Sequence, residues 1–272
     1  MSSARAELVD FVEAFGRYLE PARGRVLHVS DRYAFSDDRA HTWANVEGIR
    51  LRDDVGEAVA EVAELVAETE ARRISWWLSE RSTPADLEER LLARGLVRND
   101  DDYLHAGMLL TTEPPAAEGI DVRRVKTLEE FAQTRRLSVE AFADPRLEQP
   151  TDEQIADEWE HAVDPSFAAW IDGRMAAVGR ATFTRVGVYL TGGSTAPWAR
   201  GRGAYRAVVR ARWDAAVAAG TPVLAVGAGP MSRPILERLG FEQVVQLRRL
   251  ESVRSLGCRE TPSKGSRSPT ST

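Results

Sequence analysis

The sequence predicts an α/β protein with a mixed sheet, built from two similar α/β units in tandem. Three observations support this prediction. Residues 186–218 have the pattern of a strand, a short basic turn with glycines, and an amphipathic helix, and residues 221–240 that of a further strand and helix. Residues 42–96 repeat the same order of elements. The 272-residue chain is 43% hydrophobic, which is enough for two cores.

The first unit is predicted from hydrophobic periodicity and turn residues. We expect strands at 42–51 and 73–78, and helices at 53–71 and 83–94. The second helix ends in a Leu-rich, Arg-containing run that is similar to residues 235–241 near the end of the chain. An alternative is that the two α/β segments are alike by chance.

A linker rich in Thr, Pro and Ala follows at 111–119. The second unit then has predicted elements in this order: a strand at 120–124, a helix at 127–142 with Thr127 and Glu130 as a capping box, a helix at 152–163, a hairpin of 167–171 and 174–184 around the Asp172-Gly173 turn, a strand at 186–195, a helix at 204–218, a strand at 221–226, and a helix capped by Ser232.

The basic turn at 200–205 is the most informative segment. Gly201 and Gly203 let the backbone approach a ligand closely. The helix that starts at Ala204 presents the unpaired N–H groups of its first turn. We therefore expect an anion site suited to a di- or triphosphate. Three arginines surround this point: Arg200, Arg202 and Arg206.

Charge is distributed unevenly along the chain. Residues 166–250 hold 12 basic and 4 acidic groups, which suits a polyanionic ligand, whereas residues 140–165 hold nine carboxylates and one arginine. In the first unit, Asp53 and Asp54 stand where the second unit has its arginines, so that helix start should repel a phosphate.

Composition excludes several classes of protein. The apolar runs are shorter than a membrane span and the start lacks the apolar segment of a signal peptide, so we expect a cytoplasmic protein that does not bind membranes. Cys258 is the only cysteine, and the four histidines lack ligand spacing, so we expect no metal. The basic residues fit no nucleic-acid-binding motif. We expect a monomer or a homodimer.

Two motifs within residues 167–250 resemble the GNAT superfamily of acetyltransferases. The family's pyrophosphate loop, Gln/Arg-x-x-Gly-x-Gly/Ala, is matched by residues 200–205, although Tyr205 replaces the small last residue. The family's Leu-Gly-Phe is matched by residues 239–241. P-loop and dinucleotide-binding fingerprints fit less well, because the first lacks its Lys-Ser/Thr and the second its third glycine.

The resemblance implies a tandem GNAT-like acyl-CoA N-acyltransferase fold in an α/β (α+β mixed sheet) protein. Its predicted divisions are a degenerate GNAT-like domain at 1–112, a linker at 113–119, an acetyltransferase domain with the acetyl-CoA site at 120–251, and a disordered tail at 252–272. It also implies the coenzyme-binding residues: Ser194, Thr195 and Ala196 through backbone N–H groups beside the pantetheine, Arg200, Gly201, Arg202, Gly203, Ala204 and Tyr205 around the pyrophosphate, and Gly229 where the family often has asparagine.

The usual catalytic groups of the family are missing. Leu236 stands where a tyrosine often protonates the leaving thiolate, and residues 186–195 contain no carboxylate. Tyr189 is a candidate proton donor, with cross-strand packing as the alternative. Asp157 and Glu158, within the acidic segment, are candidates for attracting a cationic amine, with a solvated helix face as the alternative.

The resulting functional hypothesis is an acetyl-CoA-dependent N-acetyltransferase that modifies a primary amine of a small molecule or peptide. Coenzyme A would enter as the acetylated co-substrate, without a metal. A non-catalytic protein that binds or senses acyl-CoA is the main alternative, because the usual acid and base are missing. Acetylation of a thiol or an alcohol is a third possibility.

Overall fold

The computed structural model describes residues 3–22, 25–38, 43–69, 71, 73–98, 103–142 and 149–253. The strands are β1 (Arg25–Val29), β2 (Ala34–Asp38), β3 (Trp43–Glu47), β4 (Arg73–Leu78), β5 (Val97–Arg98), β6 (Leu104–Leu110), β7 (Asp121–Arg124), β8 (Ser166–Ile171), β9 (Arg174–Phe183), β10 (Val188–Thr195), β11 (Leu224–Ala228) and β12 (Glu242–Val253). The helices are α1 (Ser3–Glu13), α2 (Val55–Ala67), α3 (Leu87–Leu92), α4 (Leu128–Phe142), α5 (Asp152–His161), α6 (Ala204–Ala218) and α7 (Arg233–Glu237).

All twelve strands belong to one mixed sheet, in the order β1-β2-β3-β4-β12-β6-β11-β10-β9-β8-β7, with β5 beside β12. The first half of the chain, up to residue 110, and the second half, from residue 120, contain the same unit. In each unit two antiparallel pairings are followed by one parallel pairing across a helix: β1-β2-β3-α2-β4 in the first half and β8-β9-β10-α6-β11 in the second. The predicted α/β class with a mixed sheet is confirmed.

The two halves exchange their last strands. The strand β6 ends the first half but pairs with β11 of the second half, and β12 ends the second half but pairs with β4 of the first half. The exchanged strands also pair with each other at the centre of the sheet. As a result Leu250 of β12 lies in the core of the first half, and Met108 and Leu110 of β6 lie in the core of the second half.

Helices cover both faces of the sheet. In the first half α2 and α3 pack on the face that carries Trp76 and Leu250. Helix α1 packs on the other face, across the centre of the sheet, where Phe11 and Val12 contact residues of β6, β11 and β12. Gly107 makes this close packing possible, because a Cβ there would lie 2.4 Å from Val245 Cγ1 and 2.7 Å from Val12 Cγ1.

The predicted elements at 42–96 and 120–240 are all present, with shifted ends. The helix after Ser232 is only five residues long, and the strand predicted from 221 begins at Leu224. At the start of α4, Thr127 Oγ1 accepts the Glu130 N–H as predicted, but the Glu130 carboxylate accepts the N–H of Lys126. The tail was predicted to be disordered from residue 252, but Ser252 and Val253 belong to β12 and pair with β4. Residues 254–272 lie outside the described part of the chain.

Candidate functional site

An opening forms where β10 and β11 separate. These parallel strands pair only through Val188–Leu224 and Tyr189–Ala225. Beyond that point β10 has a bulge between Thr191 and Ser194. Ser194 is buried, and its hydroxyl has no hydrogen-bond partner among the described residues. Because buried polar groups are rarely left unpaired, this hydroxyl indicates a place where a ligand can supply the partner.

The N-terminus of α6 lies directly after β10 and is not capped by any side chain. Its N-cap residue is Gly203, with a φ of 84°, and Gly201 has a φ of 76°. Both values lie in the left-handed region that glycine adopts without strain. The first-turn N–H groups of α6 have no carbonyl partner within the helix, and the helix dipole adds positive potential there. This is the geometry of an anion site.

The three predicted arginines have different partners. Arg200 donates to the carbonyl oxygen of Ala141 at 2.6 Å, so it ties the turn to the C-terminus of α4. Arg202 pairs with Asp172 at 3.3 Å. Arg206 is exposed and has no ion pair with any residue in the described ranges. Of the three, Arg206 is therefore the arginine best placed to bind an added anion.

Tyr205 packs across the bulge of β10. A Cβ on Gly193 would lie 2.9 Å from the Tyr205 ring, so the glycine makes room for the bulky residue that departs from the family motif. Behind it lies the buried Arg212, which donates to the carbonyl oxygens of Val208 and Arg180. The ring therefore forms one wall of the site at the turn.

Several residues that were predicted to contact the coenzyme already have partners within the protein. The N–H of Ala196 donates to the carbonyl of Ala176 at 2.9 Å, so this N–H is not free for the expected contact with a coenzyme. Thr195 pairs with Ala177 in the sheet, and Ala204 is buried in the core. Gly229 follows β11 and accepts N–H groups of α7 through its carbonyl.

Tyr189 occupies an aromatic cluster. Its ring stacks on Phe15 at 4.2 Å between centroids and meets Phe11 edge-on at 6.0 Å. Burial raises the pKa of the Tyr189 phenol, and Glu47 raises it further, against a hydrogen bond from the Gly227 backbone. Such a phenol is a poor proton donor near neutral pH, so the surroundings favour packing over the proposed role as acid.

The acidic candidates on α5 are partly neutralised. Glu158 accepts two hydrogen bonds from Arg135 of α4, at 2.6 and 3.2 Å. This ion pair joins two helices, so we assign Glu158 a structural contact instead of amine capture. Asp157 is half-exposed and lies 3.5 Å from His161, and its role in binding an amine stays a prediction.

The corresponding opening of the first half is closed. Beyond the β3–β4 pairing, Thr83 exchanges backbone hydrogen bonds with Ile49 and Leu51. The buried carboxylate of Glu13 accepts from Arg50 and Arg81 beside the same strand ends. At the start of α2, the Asp54 side chain accepts the N–H of Arg52 and pairs with Arg32. The start of α2 therefore carries a carboxylate, whereas the start of α6 does not.

Sequence reasoning missed Glu47, at the end of β3. The Glu47 side chain accepts the N–H of Gly16 at 2.7 Å and is 7% exposed. Burial raises its pKa to about 7, against the effect of that hydrogen bond. Nothing local in the sequence distinguishes this glutamate from others at strand ends.

Comparison with solved structures identifies the fold. The chain superposes on a tandem GNAT protein from the clavulanic acid biosynthesis pathway, with a TM-score of 0.55, 14% identity, and coverage of 90% of this chain and 87% of that one. It also superposes on a GCN5-related N-acetyltransferase from Kribbella flavida, with a TM-score of 0.56, 18% identity, and coverage of 91% and 93%. A protein of unknown function from Staphylococcus epidermidis gives a TM-score of 0.62 at 10% identity, with coverage of 88% and 99%.

The chain therefore has the tandem GNAT fold, as the two motifs indicated. No protein-family model matches the sequence, and no curated protein matches it. Within the described ranges, no group of three His, Cys, Asp or Glu side chains is arranged to hold a metal ion. Nor does that part of the chain contain a helix long and apolar enough to cross a membrane.

Proposed function

We propose that the chain is an acetyl-CoA-dependent N-acetyltransferase that modifies a primary amine of a small molecule or peptide. The observation that carries the proposal is the uncapped N-terminus of α6 beside the opening between β10 and β11. The fold shared with GNAT acetyltransferases supports it.

The residues present fit the coenzyme. The first-turn N–H groups of α6 and the Arg206 guanidinium would hold its pyrophosphate, because both are donors without a carboxylate partner in the described chain. The unpaired hydroxyl of Ser194 lies further along β10, where the two strands have separated. When bound, acetyl-CoA supplies a thioester whose acyl carbon an amine can attack. The chain must bind the amine and remove its proton.

Coenzyme binding should depend on Gly203. We expect Gly203→Asp to weaken binding by about 2 kcal/mol, because a carboxylate at the N-terminus of α6 would repel the pyrophosphate and accept the N–H groups meant for it. The measurement is calorimetric titration with acetyl-CoA. Gly220→Asp is the matched control, because Gly220 follows the same helix at its other end, has a φ of 77° and faces open space. Equal affinity of both variants would contradict the site.

One coenzyme should bind per chain. The opening of the first half is closed by Thr83 and by the Glu13 ion pairs, whereas the opening of the second half is not. Titration of the full-length chain should therefore give a stoichiometry near one. The full chain is required because the strand exchange removes β12 from any fragment that contains only the first half. A stoichiometry near two would show that the closed opening also binds.

A non-catalytic acyl-CoA sensor is the second candidate. It is favoured by the surroundings of Tyr189 and by Leu236, which leave the second half without its usual acid. Release of free thiol from acetyl-CoA in the presence of a panel of amines distinguishes the two functions. The same assay with thiols and alcohols tests the third possibility, transfer to sulfur or oxygen.

A further inference from the structure

We propose that Glu47, from the first half, binds the ammonium group of the acceptor and takes its proton for the reaction in the second half. The reaction rests on the proposed function, whereas the ammonium site can be tested without coenzyme. The site would recognise a primary ammonium, a cation that donates hydrogen bonds.

Side-chain contacts join strands from opposite ends of the sheet order, which brings parts of the two halves together. Arg25, at the start of β1, forms a buried ion pair with Asp164 at 3.1 Å. The same carboxylate oxygen accepts the hydroxyl of Thr182 at 2.7 Å. Thr182 lies on β9, directly opposite Tyr189 of β10. Strands at distant positions in the sheet order therefore meet on one face.

A short turn connects Glu47 with the opening. This turn, Phe15–Tyr18, follows α1. Its first residue stacks on Tyr189, and the N–H of Gly16 binds the Glu47 carboxylate. Tyr189 is the last residue of β10 paired with β11 before the strands separate, and Glu47 is close enough to influence its ionisation. The carboxylate therefore lies on the face that carries α1, and this turn links it to Tyr189, the residue at which β10 and β11 separate.

Glu47 differs from the other buried glutamates in its lack of a cation. Glu13 pairs with two arginines, and Glu88 pairs with Arg98 and Arg248. No Lys, Arg or His in the described ranges forms an ion pair with Glu47, whose one hydrogen bond comes from a backbone N–H.

The groups around Glu47 do not supply that cation. The Arg17 guanidinium donates to the carbonyl of Gly48, and the Ser36 hydroxyl and the Tyr189 phenol are neutral neighbours. A buried carboxylate without a counter-charge is costly, and a bound ammonium offsets that cost.

In the proposed reaction Glu47 acts first as the base and then as the acid. The Glu47 carboxylate accepts one proton from the ammonium, which leaves a neutral amine with a free electron pair. That nitrogen forms the C–N bond while the C–S bond of the thioester breaks. The Glu47 proton goes to the leaving sulfur, and the second proton from nitrogen goes to solvent. A base whose pKa is near neutrality suits this exchange.

The first test observes the carboxylate itself. The full-length protein is labelled with ¹³C at its glutamate carboxyls, and the carboxyl signals are followed as the pH is changed. The signal of Glu47 is identified as the one that is missing from the spectra of both Glu47→Gln and Glu47→Asp. Added n-butylammonium should lower the midpoint of that signal, because a bound cation favours the charged carboxylate. Tetramethylammonium, which has no N–H group, should leave it unchanged at equal ionic strength. The same midpoint in both salts would overturn the ammonium site.

The second test is kinetic and uses an amine that releases thiol from acetyl-CoA. We expect Glu47→Gln to lower kcat/KM for the amine by about 100-fold and to remove the acidic limb of its pH profile, with an unchanged KM for acetyl-CoA. Glu47→Asp should retain the limb. Glu88→Gln is the control for loss of a buried carboxylate and should also retain it. An acidic limb that persists in Glu47→Gln would overturn the role as base, whereas failure of acetyl-CoA to bind at all would overturn the proposed function.

Discussion

Replacement of Leu250 by alanine should destabilise the chain by about 2–5 kcal/mol, because it removes a fully buried side chain and leaves a cavity. Leu250 has 0% exposure and lies in the core of the first half, although it belongs to the last strand of the second half. The loss should therefore appear in the first half. The measurement is urea unfolding combined with hydrogen exchange of the amides in β3 and β9.

The exchange of strands determines where protection is lost. Amides of β3 should lose protection at least as much as those of β9, since β12 pairs directly with β4 beside β3. Ile235→Ala is the control: this residue of α7 is 39% exposed, so its truncation should cost less than about 0.5 kcal/mol. Loss of protection confined to β9 would contradict the exchanged arrangement.

Replacement of Glu47 by glutamine should make stability less sensitive to pH. The folded-state pKa of Glu47 is raised from 4.5 to about 7. The folded state therefore binds this proton more tightly, and the associated stability is present below about pH 4.5 and is lost as the pH rises through 7. At about 1.4 kcal/mol per pKa unit, the wild type should lose about 3 kcal/mol relative to Glu47→Gln between these limits.

Urea midpoints of both proteins at acidic and mildly alkaline pH measure this difference. Glu88→Gln provides the opposite case. Burial opposes the ionisation of Glu88, but hydrogen bonds from Tyr103 and Arg98 outweigh it and lower its pKa. Neutralising Glu88 should therefore destabilise the protein at neutral pH, whereas neutralising Glu47 should not. If the difference in stability between wild type and Glu47→Gln did not change with pH, Glu47 would have the same pKa in the folded and unfolded states. The prediction would then be wrong.

Local signals in the sequence predicted most elements of the fold. The Asp172-Gly173 hairpin is an example, because both residues have positive φ, as its two-residue turn requires. Such local signals do not predict which strands pair with each other. The residues of β12 do not say whether this strand pairs with β4, β6 or β11, because long-range pairing depends on the assembled sheet. Elements α1, β1, β2, β5, β6 and β12 were missed altogether.

In the candidate site, too, local features were predictable from the sequence and long-range contacts were not. The turn at 200–205 was predicted because its glycines and the following helix are adjacent in sequence. The tie between Arg200 and Ala141, the Glu13 ion pairs and the position of Glu47 beside Tyr189 were not predictable. Each depends on contacts between segments far apart in the chain, and an arginine or glutamate alone does not reveal its partner.

The strand exchange also affects the order in which the protein can be assembled on the ribosome. Among the described strands β12 is synthesised last, and it is the one that the first half needs beside β4. The first half therefore emerges with an unpaired sheet edge and an incomplete core, and it must wait for almost the whole second half. An exposed edge of this kind is prone to pair with other chains. We expect nascent chains that stall before β12 to depend on chaperones more than those of a protein whose domains are completed one after the other.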